Sequence, residues 1–294
     1  MSINYCEKER VFTLQTQNAT YQMIVDSHSY LLHCYYGAKI ERQNLSYCIQ
    51  PQDRGFAANP PDAAGDRTLS PDTLPQEYST FGVGDFRESC LDVRDKNGGV
   101  AADLRYGSYR IYPGKKPLNG LPAAYGNEKD VDTLEIDLRD EVSGLVVTLR
   151  YSVFAQWDVI ARSAEIFNRG TGVLILERAL SCCLDEPVPA SRDILTFYGR
   201  HMGERNLERM PLRHGKFRVD SMRGASSPHY NPFVILCDSA ATETAGNCWA
   251  FSLVYSGNFI AQAEVDQIDT LRFVMGIAPQ NFSWELKPGA SFQA

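Results

Sequence analysis

The sequence predicts an all-β protein, a large antiparallel β-sandwich with few short helices. Three observations carry that reading. Apolar residues recur with period two in run after run, as in Leu145–Phe154, where alternate side chains must point to opposite faces. Short runs rich in Val, Ile, Phe and Tyr are punctuated by turn chemistry such as Asn97-Gly98 and Ser143-Gly144. No segment sustains the i, i+3, i+4, i+7 spacing of an amphipathic helix.

Taken in order, the chain opens as β. Val11, Leu14, Tyr21, Met23 and Val25 alternate, and a run from Tyr30 to Tyr36 follows, with breaks at Asn18, Ser27–Ser29 and Gly37. Residues 51–76 hold five prolines and two glycines, which exclude regular strands. Asn97-Gly98 predicts a hairpin between Leu91–Val93 and Val100–Leu104. Gly82-Val83-Gly84 lacks the third glycine and following helix of a nucleotide site, so it predicts a bulge or a close backbone approach. Asp85 and Arg87 form a candidate ion pair. After a second Pro/Gly loop at residues 113–126, four segments (Thr133–Leu138, Leu145–Phe154, Asp158–Asn168 and Val173–Cys182) predict a meander with one face in the core. Residues 193–210 end one strand at Tyr198-Gly199 and continue as a polar edge strand, although Glu204/Glu208 and Arg205/Arg209 also fit helical spacing. Pro232–Cys237 and Trp249–Val254 are too short for typical helices and predict a long hairpin. Ala261–Val265, Thr270–Ile277 and Asn281–Leu286 close the chain as strands. At 294 residues the chain could be two ordinary domains or one large all-β unit.

Composition excludes several functions. Thirty-six acidic residues against 29 basic ones give a net charge of −7, with no Lys/Arg run, which disfavours nucleic acid and anionic membranes. The first residues lack an apolar signal core, and no long apolar run predicts a membrane span. Eight cysteines show no CxxC spacing and predict buried, reduced thiols in a cytoplasmic protein. No HExxH, GxSxG, P-loop or metal-ligand spacing is present, so no cofactor, metal or catalytic set is expected.

Two places concentrate side chains that grip polar ligands. One is Arg223 to Asn231 with Tyr255, Ser256 and Asn258, flanking the long hairpin; these residue types equally satisfy their own turns. The other is Asp53-Arg54-Gly55-Phe56 in the proline-rich loop. A loop this long in a compact domain is either functional or disordered. Carboxylates that accept paired hydroxyls and aromatics that stack on sugar faces are the means of binding neutral carbohydrates. Asp53 can also simply cap its own turn.

The strings RGASSPHYNPF, FSLVYSGNF, VDQ and FSWELKPGASF, together with EYSTFGVGDFRES, SGLVVTLRYSVF and LERALSCCLD, resemble the N-terminal domain of α-galactosidases of glycoside hydrolase family 36. The resemblance runs over essentially all 294 residues. It implies a β-supersandwich preceding a catalytic (β/α)₈ barrel that this chain lacks. It implies hydrolysis of terminal α-linked galactose by the parent enzyme, with both catalytic aspartates on the barrel. DRGF matches a loop that in these enzymes reaches the galactose pocket, which in the family's tetramers can belong to a neighbouring subunit; this implies that Asp53 binds substrate. His201 stands where many members carry an aromatic at the substrate entrance. A histidine can stack on or hydrogen-bond a sugar, although a lone histidine outside a motif is more often structural. Three readings compete: a domain supporting barrel, oligomer and pocket; a free-standing carbohydrate-binding module; and a purely structural domain.

Overall fold

The computed structural model describes residues 2–55, 59–187 and 191–294, and their regular secondary structure is almost entirely antiparallel β. Strands β1 (Ile3–Cys6), β2 (Val11–Gln15), β3 (Ala19–Val25) and β4 (Leu31–Ala38) pair in sequence order as a first sheet. Phe12 opposes Met23 and Leu14 opposes Tyr21, and all four lie in the core, whereas Val11, read with Leu14 in the sequence, opposes Ile24 and points to the other face. Among the described residues helix is limited to three single 3₁₀ turns, Ser46–Cys48, Pro61–Ala63 and Ala155–Trp157.

Strand β5 (Leu91–Asp95) stands alone before a meander of β6 (Arg105–Pro113), β7 (Asp132–Asp140), β8 (Leu145–Phe154) and β9 (Val159–Asn168). Strand β10 (Leu174–Glu186) leaves that meander. It is followed by β11 (Arg192–Arg200), β12 (Gly203–Pro211), β13 (Gly215–Ser221), β14 (Tyr230–Asp238), β15 (Cys248–Ser252), β16 (Phe259–Val265), β17 (Leu271–Ile277), β18 (Trp284–Leu286) and β19 (Ser291–Gln293). The second sheet runs β13-β16-β17-β10-β18, with β5 also on β10; the third runs β12-β11-β14-β15; the fourth runs β19-β9-β8-β7-β6. The strands thus divide among four hydrogen-bonded sheets, whose inner faces share one apolar core.

Three local expectations change. Asn97-Gly98 does make a tight turn, with Gly98 at φ +88° and its N–H donating to Asp95 O at 3.0 Å. Residues 100–104, however, are not a strand. Strand β5 pairs with β10, and the chain crosses with Ala102 and Leu104 buried to begin β6 in another sheet. The fourth segment of the expected meander also changes sheet. Strand β10 is 13 residues long and breaks register at Leu176/Arg178 and at Leu180/Cys182, so its first half pairs with β5 and β18 and its second with β17. Sequence alternation cannot reveal such a change of partner. All eight cysteines are free, but only Cys34, Cys90, Cys183 and Cys237 are buried; Cys248 is exposed because edge strand β15 turns it outward.

Other expectations hold. Strand β12 is a polar edge strand, and β14–β15 is the long hairpin. Gly82, at φ +90°, lets the backbone approach Ala101: a Cβ there would lie 2.7 Å from its Cα. Asp85 and Arg87 pair at 3.0 Å.

Candidate functional site

The extended segment leading out of the proline-rich loop is threaded through the core and carries buried charge. Glu77 is fully buried and accepts hydrogen bonds from Tyr21 and, at 2.7 Å, from Tyr151; Arg162 pairs with it at 2.8 Å and His33 Nδ1 lies at 3.3 Å. Burial pushes the Glu77 carboxyl up, yet Arg162 and His33 outweigh that and hold it below the usual range. Next to it, Arg272 contacts Asp185 at 2.6 Å and Asp85 at 2.7 Å, and Arg87 pairs with Asp85. Gln76 bridges the two aspartates, its N–H donating to Asp185 and its side-chain amide to Asp85. Buried charges are tolerated where paired and hydrogen-bonded in this way.

This network anchors the loop that holds Asp53. Tyr30, Leu32, Ala63, Leu69 and Leu74 form a small second core beneath the loop, so its base is packed rather than solvated. At its outer end three successive residues grip the returning limb. Asp53 Oδ1 accepts from Arg67 Nε at 2.9 Å. The Arg54 N–H donates to Arg67 O at 3.0 Å, and its guanidinium reaches buried Asp72 at 3.0 Å. Gly55 leaves room for Arg67: a Cβ at that position would collide with Nη2. The Asp53 and Arg67 side chains remain 61% and 62% exposed. Phe56 lies outside the described residues.

His201 sits elsewhere, exposed at the turn between β11 and β12 beside Met202 at φ +63°. Among the described residues no hydrogen bond or ion pair joins it to Asp53. The polar residues flanking the long hairpin largely serve their own turns: Ser226 N–H donates to Ser256 O at 2.7 Å, and Gly224 N–H to Asn258 Oδ1 at 2.7 Å. Arg67, Asp72 and Glu77 were missed in the sequence. The one available signal was that Asp66-Arg67 repeats the Asp53-Arg54 dipeptide within the same loop.

A concavity of about 590 Å³ is lined by residues of β9, β10, β15 and β17. Its floor is largely apolar, with Val159, Phe251, Val254, Met275 and Ile277, and Ala294 at its wall. Val254 and Val159 are 55% and 47% exposed, an apolar face of the kind that marks an interaction surface. Among the described residues no cluster of three or more His, Cys, Asp or Glu side chains is arranged to hold a metal, and no helix is long and apolar enough to cross a membrane.

The sequence profile of the glycosyl hydrolase family 36 N-terminal domain matches residues 29–287. The chain is similar to the bifunctional α-galactosidase/sucrose kinase AgaSK of Mediterraneibacter gnavus, at 47% identity over 292 residues, 99% of this chain and 31% of that protein. The solved galactosidase domain of AgaSK superposes with a TM-score of 0.96, over 99% of this chain and 40% of that one. A variant of α-galactosidase AgaA from Geobacillus stearothermophilus, solved in complex with raffinose, superposes with a TM-score of 0.92 at 45% identity, over 96% of this chain and 39% of its own. The chain therefore spans two fifths or less of the length of each of these relatives.

Proposed function

We propose that this chain, which belongs to the glycoside hydrolase family 36 N-terminal domains, serves an α-galactosidase that releases terminal α-linked galactose from melibiose- and raffinose-type sugars. The observation that carries this reading is the match over 99% of the chain to a galactosidase. A retaining glycosidase needs two carboxyl groups about 5–5.5 Å apart. We assign both to the barrel of the parent enzyme and none to this chain. The domain's part is to support the barrel and the oligomer, a tetramer, and to lend residues to the pocket.

Asp53 is the principal loan. Its loop is held by packed side chains and by the Arg54–Asp72 pair, yet its carboxylate faces solvent, as a group that meets a sugar across a subunit boundary must. His201, exposed at a hairpin tip without a side-chain partner among the described residues, is a second and weaker contact. The apolar groove beside Ala294 is the face on which the barrel packs, since in these relatives the polypeptide is far longer than this domain. That same fact disfavours a free-standing binding module. Free thiols throughout fit a cytoplasmic enzyme.

The test compares this chain alone with the same chain joined to its barrel, on an aryl α-galactoside. Turnover is expected only from the joined form, and Asp53→Ala there should lower kcat/KM about ten- to a hundred-fold, the worth of hydrogen bonds to a charged acceptor. Turnover by this chain alone, or a joined form that folds and ignores α-galactosides, would overturn the reading.

A further inference from the structure

We infer that Arg67 is a further substrate-recognition residue, which with Asp53 presents a donor and an acceptor side by side to two neighbouring hydroxyls of one sugar ring. The inference rests on the pocket role proposed for Asp53 and deepens it. A sugar hydroxyl both donates and accepts, so a carboxylate alone satisfies only half of what it strips from water. A guanidinium beside the carboxylate supplies the missing donors in a planar fork. That arrangement is present. Arg67 engages Asp53 Oδ1 through Nε, on the side of the guanidinium, while Asp53 Oδ2 and both Arg67 Nη groups make no hydrogen bond among the described residues. The pair is more than half exposed, yet it is not a loose surface contact. The backbone of Arg54 is bonded to that of Arg67, and the side chain of Arg54 is tied to buried Asp72, which also receives Gln267 Nε2 at 3.3 Å. Gly55 completes the case, because its missing side chain is what lets the guanidinium lie where it does. A clasp built only to close a loop has no need to keep both ends of its ion pair open to solvent.

The experiment uses the full-length enzyme and reads kcat, KM and melting temperature for Asp53→Ala, Arg67→Ala, Arg67→Lys and Gly55→Ala. The substrates are raffinose and an aryl α-galactoside. Arg67→Ala is expected to raise KM about tenfold or more with little change in melting temperature, and added guanidinium ion should restore part of the loss in Arg67→Ala but none in Asp53→Ala. Arg67→Lys should stay impaired, because an ammonium cannot reproduce the fork. Gly55→Ala keeps both charged side chains and pushes only the flexible end of Arg67 aside, so it should raise KM as well. Normal KM in Arg67→Ala beside an impaired Asp53→Ala would reduce Arg67 to a loop clasp and leave the pocket role of Asp53 standing. Normal kinetics in both variants would remove the pocket role and this inference with it. A fall in melting temperature that parallels the loss of activity in Arg67→Ala would make the residue structural and overturn the inference.

Discussion

The same chemistry, a carboxylate against a guanidinium, occurs in two settings in this domain. Arg272 and Asp185 are 1% and 2% exposed at the side chain, whereas Arg67 and Asp53 are 62% and 61% exposed. Inside, the pairs are cross-linked through Gln76 and shared among several partners, so each charge is neutralised from more than one direction. Outside, the Asp53–Arg67 pair leaves half of each group unspent. An exposed pair contributes about 0–1 kcal/mol to stability, while breaking a buried one costs about 3–5 kcal/mol because the partner is left charged and dry. Burial therefore turns this chemistry into scaffold, and exposure keeps it available to a ligand.

The largest expected effect is on the buried side. Arg272→Leu leaves Asp85 and Asp185 to share Arg87 and should destabilise this chain by about 3–5 kcal/mol, lowering Tm by roughly 10 °C in a thermal melt. An unchanged melt would mean that the network is not the scaffold. On the exposed side, Asp53→Ala should leave the melt within about 0.5 kcal/mol of wild type, even where it costs the full enzyme its kcat/KM. A destabilised variant would erase the contrast.

Acid sharpens the comparison at an intermediate site. Glu88 is partly buried and faces Lys216 at 2.8 Å, Arg178 and Gln262, with Glu264 accepting from its N–H. Burial raises its carboxyl, but Lys216 and Arg178 outweigh that and bring it down to about 2, from an ordinary 4.5. The unfolded chain then binds the proton more readily than the folded one. The stabilisation is complete above the ordinary value and is lost as pH falls through about 2. Glu77 and Asp85 shift in the same direction, whereas burial raises Glu186 despite Arg192, giving the opposite slope. Urea midpoints should fall as pH drops through this window, and Glu88→Gln should flatten part of that fall. The smallest effect expected is for His201→Ala in the full enzyme. A single neutral hydrogen bond is worth about 0.5–1.5 kcal/mol, so KM should rise a few-fold with Tm unmoved.

Period-two runs made β2 to β4 and β7 to β9 legible, because a strand with one face in a core must alternate, and apolar runs too short for helices made β14 and β15 legible. Partnership was not legible. Nothing local in Leu174–Glu186 announces that β10 abandons its neighbour β9 and changes partners along its length. Asp53 was found because its loop is conspicuous in proline and because a family string surrounds it. Arg67 and Asp72 were not, since an ion pair bridging the two limbs of an irregular loop has no period. Glu77 was hidden for a different reason: a lone acidic residue between Gln76 and Tyr78 reads as surface until four partners are seen around it.

Strand β19 has a bearing on solubility. Only three residues long, it lies on β9, opposing Phe167, Ile166 and Glu165, and Ala294 adds two further bonds to Ala164. It covers backbone groups that would otherwise stand unpaired on a ten-residue strand. Uncovered strands of that length recruit other strands edge to edge. By ending the fourth sheet on β19, the domain keeps a long ladder from offering itself to another copy.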